Sequence, residues 1–366
     1  MRIRNLQNIE LLKKMNKYWS DIVEELTPYI PGEQPKDKIL LKLNTNENPY
    51  GPSKKVLDVI KSSARENLRL YPDPDSEVLK QTIANYHNLS KSNVFVGNGS
   101  DEILAFIFQA LLKKKDPVLF PDITYSFYPA YCSLYDVKYK KIPLDKDFNI
   151  DLKKYLLNNG GIIFPNPNAP TGIPKKLIDI ENLININQDS VVVIDEAYVD
   201  FGTESAVKLV NQYKNLVVTQ SFSKSRSLAG MRLGCAFANE DLIEALNRIK
   251  NSFNSYPVDR LAQIAGVEAI KDEDYFNESG NKIIQARIFL VKELLLMGFS
   301  TLPSGANFIF TKHKSIDAVK IFKKLRESGV IVRHFEKPER ISQYLRITIG
   351  TKEEMRKFVS ILKVII

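Results

Sequence analysis

From about Asn93 onward, short apolar runs alternate with amphipathic stretches. Val94-Phe95-Val96, Pro117-Val118-Leu119-Phe120, Gly161-Ile162-Ile163-Phe164, Val191-Val192-Val193-Ile194 and Leu216-Val217-Val218-Thr219 are continuous and mostly β-branched or aromatic, the pattern of strands buried on both faces. Between the first two, the stretch from Asp101 to Lys114 places Ile103, Leu104, Ile107 and Leu111 on one face at helical spacing. Apolar strands joined by amphipathic helices predict an α/β architecture with a largely parallel sheet covered on both sides.

The tail follows another rhythm. Asp274 to Leu296 reads as one long helix. A strand at Asn307 to Thr311, a helix at Ile316 to Glu327, two strands around Val332 and Leu345-Ile347, and a last helix from Lys352 come after it. That succession predicts a second, α+β domain. The first forty residues, with Pro28, Pro31, Gly32 and Pro35, read as a helix followed by an extended arm. No internal repeat or low-complexity tract interrupts the chain.

Composition narrows the classes. Hydrophobic residues make up 44% and charged ones 26%, a globular balance that argues against long disorder. No apolar run approaches the ~18 residues of a membrane span, and the polar, basic stretch from Met1 to Lys17 lacks a signal peptide's apolar core. The expectation is a soluble, cytoplasmic protein with no membrane partner. Two cysteines, Cys132 and Cys235, provide neither a disulfide framework nor a Cys-rich zinc site. His87, His313 and His334 share no ligand spacing, so no metal is expected. The net charge of +9 invites a nucleic-acid reading. The lysines, however, are spread over the whole chain with only short runs such as Lys113-Lys114-Lys115, as solvated helix faces would have them. No nucleic-acid partner is expected, and basicity also suits a small anionic substrate.

Ligands of an open parallel sheet bind beyond the C-terminal ends of its strands. After Val96 comes Gly97-Asn98-Gly99-Ser100-Asp101-Glu102, opening a helix; this is either an anion cup of free amides or a plain loop with Ser100 as N-cap. Pro165-Asn166-Pro167-Asn168-Ala169-Pro170-Thr171-Gly172 follows Phe164, either a rigid turn or a held asparagine amide reaching a ligand. The run ending at Ile194 delivers Asp195-Glu196-Ala197-Tyr198. A carboxylate there is costly unless paired, with a structural arginine or with a ligand cation such as a protonated ring nitrogen. Ser221-Phe222-Ser223-Lys224-Ser225 follows the last run, with Arg232 eight residues beyond the lysine. Lys224 is either an exposed turn residue or a Schiff-base nucleophile.

Anion cup, strand-end asparagine, strand-end aspartate, then lysine and arginine follow the order of fold-type I pyridoxal-phosphate enzymes, and the chain resembles the aminotransferases of that group. Leu26-Thr27-Pro28-Tyr29, the segment Leu43-Asn44-Thr45-Asn46-Glu47-Asn48-Pro49-Tyr50-Gly51-Pro52, Arg69-Leu70-Tyr71-Pro72-Asp73 and Leu345-Arg346-Ile347-Thr348-Ile349-Gly350 narrow the likeness to the histidinol-phosphate aminotransferase family. The resemblance runs in order from Leu26 to Gly350, nearly the whole chain.

The resemblance implies pyridoxal 5'-phosphate as cofactor and a fold-type I layout. An N-terminal helix and arm (1–45) would join the small domain and a dimer contact. A large domain (46–270) would carry a mostly parallel seven-stranded sheet, and a small α+β domain (271–366) would follow. Lys224 would join the cofactor aldehyde as an aldimine and later shuttle the proton at the substrate α-carbon. Asp195 would keep the pyridinium nitrogen protonated, Tyr198 would bond the phenolic oxygen, and Tyr125 would stack on the ring. Gly99, Ser100, Asp101, Ser221, Ser223 and Arg232 would form the phosphate cup. Tyr71 matches the tyrosine that reaches the neighbouring subunit's phosphate, which implies a homodimer. Arg346 matches the family's α-carboxylate arginine, a fork suited to 2-oxoglutarate or glutamate. Arg333, Tyr29 and Asn46 match positions near the substrate's distal end or phosphate.

The chain departs from many relatives at Ala169, where a second asparagine usually bonds the phenolic oxygen. The expectation is that Asn168 shifts into that role. The implied reaction takes an amino phosphate, histidinol phosphate, and 2-oxoglutarate to imidazole-acetol phosphate and glutamate by a ping-pong mechanism in histidine biosynthesis. An aromatic amino-acid aminotransferase and a threonine-phosphate decarboxylase are the rivals on the same scaffold.

Overall fold

The structure, a computed structural model, describes residues 18–29, 32–35 and 39–366. Met1–Lys17 and Pro31, where part of the N-terminal helix and arm was expected, lie outside the described residues. Helix α1 (Asp21–Glu25), strand β1 (Leu41–Lys42), α2 (Lys54–Ser63) and α3 (Glu77–His87) precede the main sheet. The sheet consists of β2 (Val94–Gly97), β3 (Val118–Pro121), β4 (Tyr139–Ile142), β5 (Gly161–Pro165), β6 (Val192–Asp195), β7 (Leu216–Ser221) and β8 (Gly234–Ala238). Helices α4 (Gly99–Ala110), α5 (Tyr128–Tyr135) and α6 (Leu177–Ile186) lie between these strands in sequence.

The strands lie in the order β2-β8-β7-β6-β5-β3-β4, and only β8 runs antiparallel to its neighbours. All five apolar runs form strands here, and every residue of β2, β3, β5 and β6 is buried. Each Val or Ile so buried contributes about 1.5–3 kcal/mol of transfer free energy, which is why a continuous apolar run becomes an inner strand. Two strands escaped the hydrophobic pattern for different reasons. β4 sits at the sheet edge with Tyr139, Lys140 and Lys141 exposed, so its sequence carries charges that protect an edge. β8 is made of small residues, Gly-Cys-Ala-Phe-Ala, between two partners.

The helix expected over Asp101 to Lys114 is displaced: α4 starts at Gly99 and ends at Ala110. Asn98, not Ser100, occupies the cap position, and the Glu102 carboxylate accepts from its backbone N–H at 2.7 Å. Ile103, Leu104, Ile107 and Leu111 are all buried, as the periodicity requires. The lysine run lies beyond the helix, just ahead of Pro117, whose ring disfavours helical geometry at the residue before it.

Beyond the sheet come α7 (Glu240–Phe253), α8 (Arg260–Lys271) and the long α9 (Glu273–Leu296). They are followed by β9 (Phe299–Thr301), β10 (Phe308–His313), α10 (Ala318–Glu327), β11 (Val330–Ile331), β12 (Arg333–His334), β13 (Leu345–Thr348) and α11 (Lys352–Ile365). β12-β13-β10-β9 form an antiparallel sheet. β1 pairs in parallel with β11, which fastens the N-terminal arm to this unit. Leu41 and Leu43 accordingly share a core with Ile283, Leu290, Ile309, Ile347 and Phe358. Separate apolar clusters cover the two faces of the main sheet. No helix among the described residues is long and apolar enough to cross a membrane.

Candidate active site

The C-terminal ends of β2, β5, β6 and β7 open on one cavity of about 280 Å³. Its floor begins at the turn from β2 into α4. Gly99 has φ +79, and a Cβ there would lie 2.5 Å from Arg232 Nη2. A Cβ on Gly234 would lie 2.6 Å from the Ser100 backbone nitrogen. Both glycines thus allow the Arg232 segment to lie directly on the first turn of α4, whose leading N–H groups have no carbonyl partner within the helix. Ser100, Asp101, Ser221, Ser223 and Arg232 line this end of the cavity. Arg232 Nη2 stands 3.2 Å from Asp101 Oδ2. The arrangement supplies backbone amides, hydroxyls and a guanidinium to an anion.

Lys224 stands on the turn leaving β7, with Nζ 3.2 Å from the Thr45 carbonyl and 5.8 Å from the centre of the Tyr198 ring. The turn is held from both sides. Asn48 Nδ2 donates to the Lys224 carbonyl at 2.9 Å and to the Ser225 carbonyl at 3.3 Å, and Ser225 Oγ donates to the Asp200 carboxylate.

Asp195 closes β6, only 4% exposed. Its Oδ2 accepts from the Tyr128 hydroxyl at 3.0 Å, and its Oδ1 has a longer contact, 3.4 Å, from Thr219 Oγ1. Burial raises its pKa to about 6, against the lowering effect of these donors and of the Ala197 N–H. The structural arginine that would have made Asp195 a simple buried ion pair is not found among the described residues. Its neighbour Glu196 points away from the cavity, to Ser205 Oγ, the Ala206 N–H and Gln220 Nε2.

Tyr198 packs edge-on against Phe308, centroids 5.1 Å apart, and its hydroxyl accepts from Asn46 Nδ2 at 3.0 Å. Tyr125 forms the opposite wall and donates to Asp101 Oδ1 at 2.9 Å. Burial, chiefly, and the neighbouring Asp101 raise the pKa of that phenol, so it remains a donor.

The outer end of the cavity is cationic. Arg333 and Arg346 face each other in the β12–β13 register. Arg346 Nη2 donates to the Asn44 carbonyl at 2.9 Å, while its buried Nε has no partner. Desolvation pushes its pKa down, the response of a cation lacking an anion. Phe335 lies beneath both guanidinium groups at 5.5 and 5.7 Å, and Tyr29 packs at the rim against Phe127 with centroids 4.7 Å apart.

The cavity therefore gathers Tyr29, Asn46, Ser100, Asp101, Tyr125, Asp195, Tyr198, Ser221, Ser223, Lys224, Arg232, Arg333 and Arg346. Gly99 shapes it through backbone approach. Asn168 is not brought in. Its Nδ2 donates to the Ile123 carbonyl and to Thr171 Oγ1, and its Oδ1 accepts from Thr124 Oγ1 at 3.0 Å, while Ala169 presents its methyl to the cavity instead. The expected shift of Asn168 toward the ligand is thus opposed by three bonds that hold it in the turn. Tyr71 also lies apart, exposed and stacked on Tyr256 with centroids 4.6 Å apart. Several contributors were not singled out by sequence reasoning: Thr45 and Glu47 on the wall, Asn48 behind the lysine, Tyr128 behind Asp195, and Phe335 under the arginines. Thr45, Glu47 and Asn48 fall inside a segment already distinctive in sequence; nothing local marks Tyr128.

A family model described as aminotransferase class I and II matches residues 38–362. A histidinol-phosphate aminotransferase from Pseudomonas syringae pv. syringae is 56% identical over 340 residues, 93% of this chain and 97% of that protein. Histidinol-phosphate aminotransferase 1 from Methylococcus capsulatus is likewise 56% identical, over 93% of this chain and 95% of its own. The crystal structure of the Sinorhizobium meliloti histidinol-phosphate aminotransferase in complex with pyridoxal-5'-phosphate has the same fold, with a TM-score of 0.86 at 23% identity over 96% of this chain and 98% of that one. The ordered strand-end residues, the match over nearly the whole chain and the shared fold place this chain in the class I and II aminotransferases, in the histidinol-phosphate aminotransferase family.

Proposed function

We propose that this chain is a pyridoxal-phosphate-dependent aminotransferase that takes histidinol phosphate and 2-oxoglutarate to imidazole-acetol phosphate and glutamate. The observation that carries the reading is one cavity holding an amine, Lys224, between an anion cup and an arginine pair, with the buried carboxylate of Asp195 on its wall. The donor set fits the cofactor: amides, hydroxyls and Arg232 for a phosphate, an amine for an aldehyde, and an otherwise costly carboxylate for a ring N–H⁺.

When bound, the cofactor supplies carbonyl chemistry toward amines and an electron sink for the bond broken at the substrate α-carbon. The chain supplies the rest. Lys224 Nζ provides the amine that holds the cofactor at rest and moves the proton at the α-carbon. Asp195 keeps a proton on the ring nitrogen. Tyr198, oriented by Asn46, offers its hydroxyl to the ring oxygen without help from Asn168, and Tyr125 supports the ring face. Arg346, with an unpaired buried Nε, binds the substrate phosphate in one half-reaction and a dicarboxylate in the other, helped by Arg333. Lys224 belongs to the main-sheet unit and Arg346 to the antiparallel one, so anion binding draws the two together and excludes water. This packing supports dividing the chain near residues 45 and 270.

The working unit is a cytoplasmic homodimer in which Tyr71 serves the neighbouring subunit's site. Its exposure beside Tyr256, with Leu70 and Phe253 also exposed, supports that reading. The test is an absorbance titration of cofactor-loaded protein. Histidinol phosphate should bleach the visible band at far lower concentration than phenylalanine, and 2-oxoglutarate should restore it. A response to phenylalanine alone would move the substrate assignment, and no visible band would refute the cofactor assignment.

A further inference from the structure

The geometry points to Tyr128 as a positioning residue for the ring-nitrogen contact: by donating to one oxygen of Asp195 it keeps that carboxylate ionised and directs the other oxygen toward the cavity. The inference rests on the cofactor reading above and adds a residue to it.

Tyr128 begins α5 and is fully buried. Its ring is wedged edge-on against Phe120 at 5.8 Å and Tyr125 at 5.6 Å, so the hydroxyl has one place to go, Asp195 Oδ2 at 3.0 Å. Oδ1 has the longer 3.4 Å contact from Thr219, and the Ala197 N–H also donates to the carboxylate. A carboxylate in a dry site holds its charge only with donors around it. Burial raises the Tyr128 phenol far above its usual pKa, so it gives a hydrogen bond and not a proton. Without that donor, Asp195 becomes the more basic partner, and the proton required at the ring nitrogen settles on the carboxylate. The same wall that supports the ring, Tyr125, touches Tyr128, so the stack and the ring-nitrogen contact are fixed by one aromatic cluster.

The test compares cofactor binding by wild type and Tyr128→Phe, which keeps the ring and removes one oxygen. Dissociation constants are measured spectroscopically for pyridoxal 5'-phosphate and for its analogue with carbon in place of the ring nitrogen. The analogue's dissociation constant divided by the cofactor's gives a ratio that reads the ring-nitrogen contact alone, as in a double-mutant cycle. The expected result is a ratio about tenfold smaller in Tyr128→Phe, the scale of one hydrogen bond to a charged group, with binding of the carbon analogue unchanged. The pH below which the ratio collapses should move upward in the same variant. Thr219→Val, which removes the longer contact, should change the ratio less. An identical ratio in wild type and Tyr128→Phe overturns the proposal, including the case in which both ligands weaken in parallel, which marks a structural role only. If wild type bound neither compound, the cofactor reading itself would fail.

Discussion

Asn46 Nδ2 donates to the Tyr198 hydroxyl at 3.0 Å, while Asn46 Oδ1 accepts from Thr348 Oγ1 at the same distance. One buried side chain thus links the arm, the loop after β6 and the end of β13. Asn46 also sits at φ 57, where an ordinary side chain is strained. Asn46→Ala should cost about 1–3 kcal/mol of stability and about tenfold in kcat/KM. Asn46→Gly removes the same bonds but relieves the strain, so it should be more stable than the alanine variant and equally impaired. Thermal melts and steady-state kinetics on both check this. Full activity in Asn46→Gly would reduce the residue to a backbone role.

Lys224→Ala should abolish the visible absorbance of bound cofactor and nearly all turnover, because no other lysine among the described residues lines the cavity. Spectra of purified, cofactor-loaded protein decide it. A surviving band would reassign the nucleophile.

The raised pKa of Asp195 makes cofactor binding depend on pH. In the cofactor-free chain the carboxylate takes up a proton as pH falls through about 6. A ring cation favours the ionised form, so below that point binding must first expel the proton. Affinity should therefore fall with decreasing pH, by about tenfold per pH unit once well below the midpoint. The phosphate titrates in the same range, so the comparison is with Asp195→Asn, whose own pH slope should lack this component. Equal slopes in the two proteins would contradict the role.

Arg346→Lys should weaken both the amino phosphate and the dicarboxylate, because an ammonium cannot form the fork. About ten- to hundredfold in kcat/KM for each is expected, with the visible band intact. Unchanged affinities would shift anion binding to Arg333.

Subunit mixing tests Tyr71. Tyr71→Phe and Lys224→Ala proteins should each be poorly active alone. If Tyr71 crosses the dimer, unfolding and refolding them together should restore about a quarter of wild-type activity, since half the dimers then carry one intact site. No recovery would place Tyr71 outside the neighbour's site.

Much of the site was legible because function and chain order coincide in a parallel sheet. The polar residues worth examining follow directly on apolar runs, so Asp195, the Ser221–Lys224 turn and the Gly97–Asp101 loop could be found without coordinates. Asn168 shows the limit of that reasoning: it follows a strand, yet its amide is spent on Ile123, Thr171 and Thr124. Position in sequence states where a side chain starts, and its hydrogen-bond partners state where it ends.

The hydrophobic pattern alone was enough for the inner strands, since continuous apolar runs have no stable place except between covered faces. It also sufficed for the helix–strand alternation and for the order of groups along the sheet's rim. It could not yield β4 or β8, the first because edge strands carry charge, the second because small residues have no distinctive period. Nor could it pair Arg333 with Arg346, bring Asn46 to Tyr198, or set Tyr128 behind Asp195. Those relationships join residues far apart in the chain or on different elements. They depend on register, crossover and close packing, which exist only once the chain has folded.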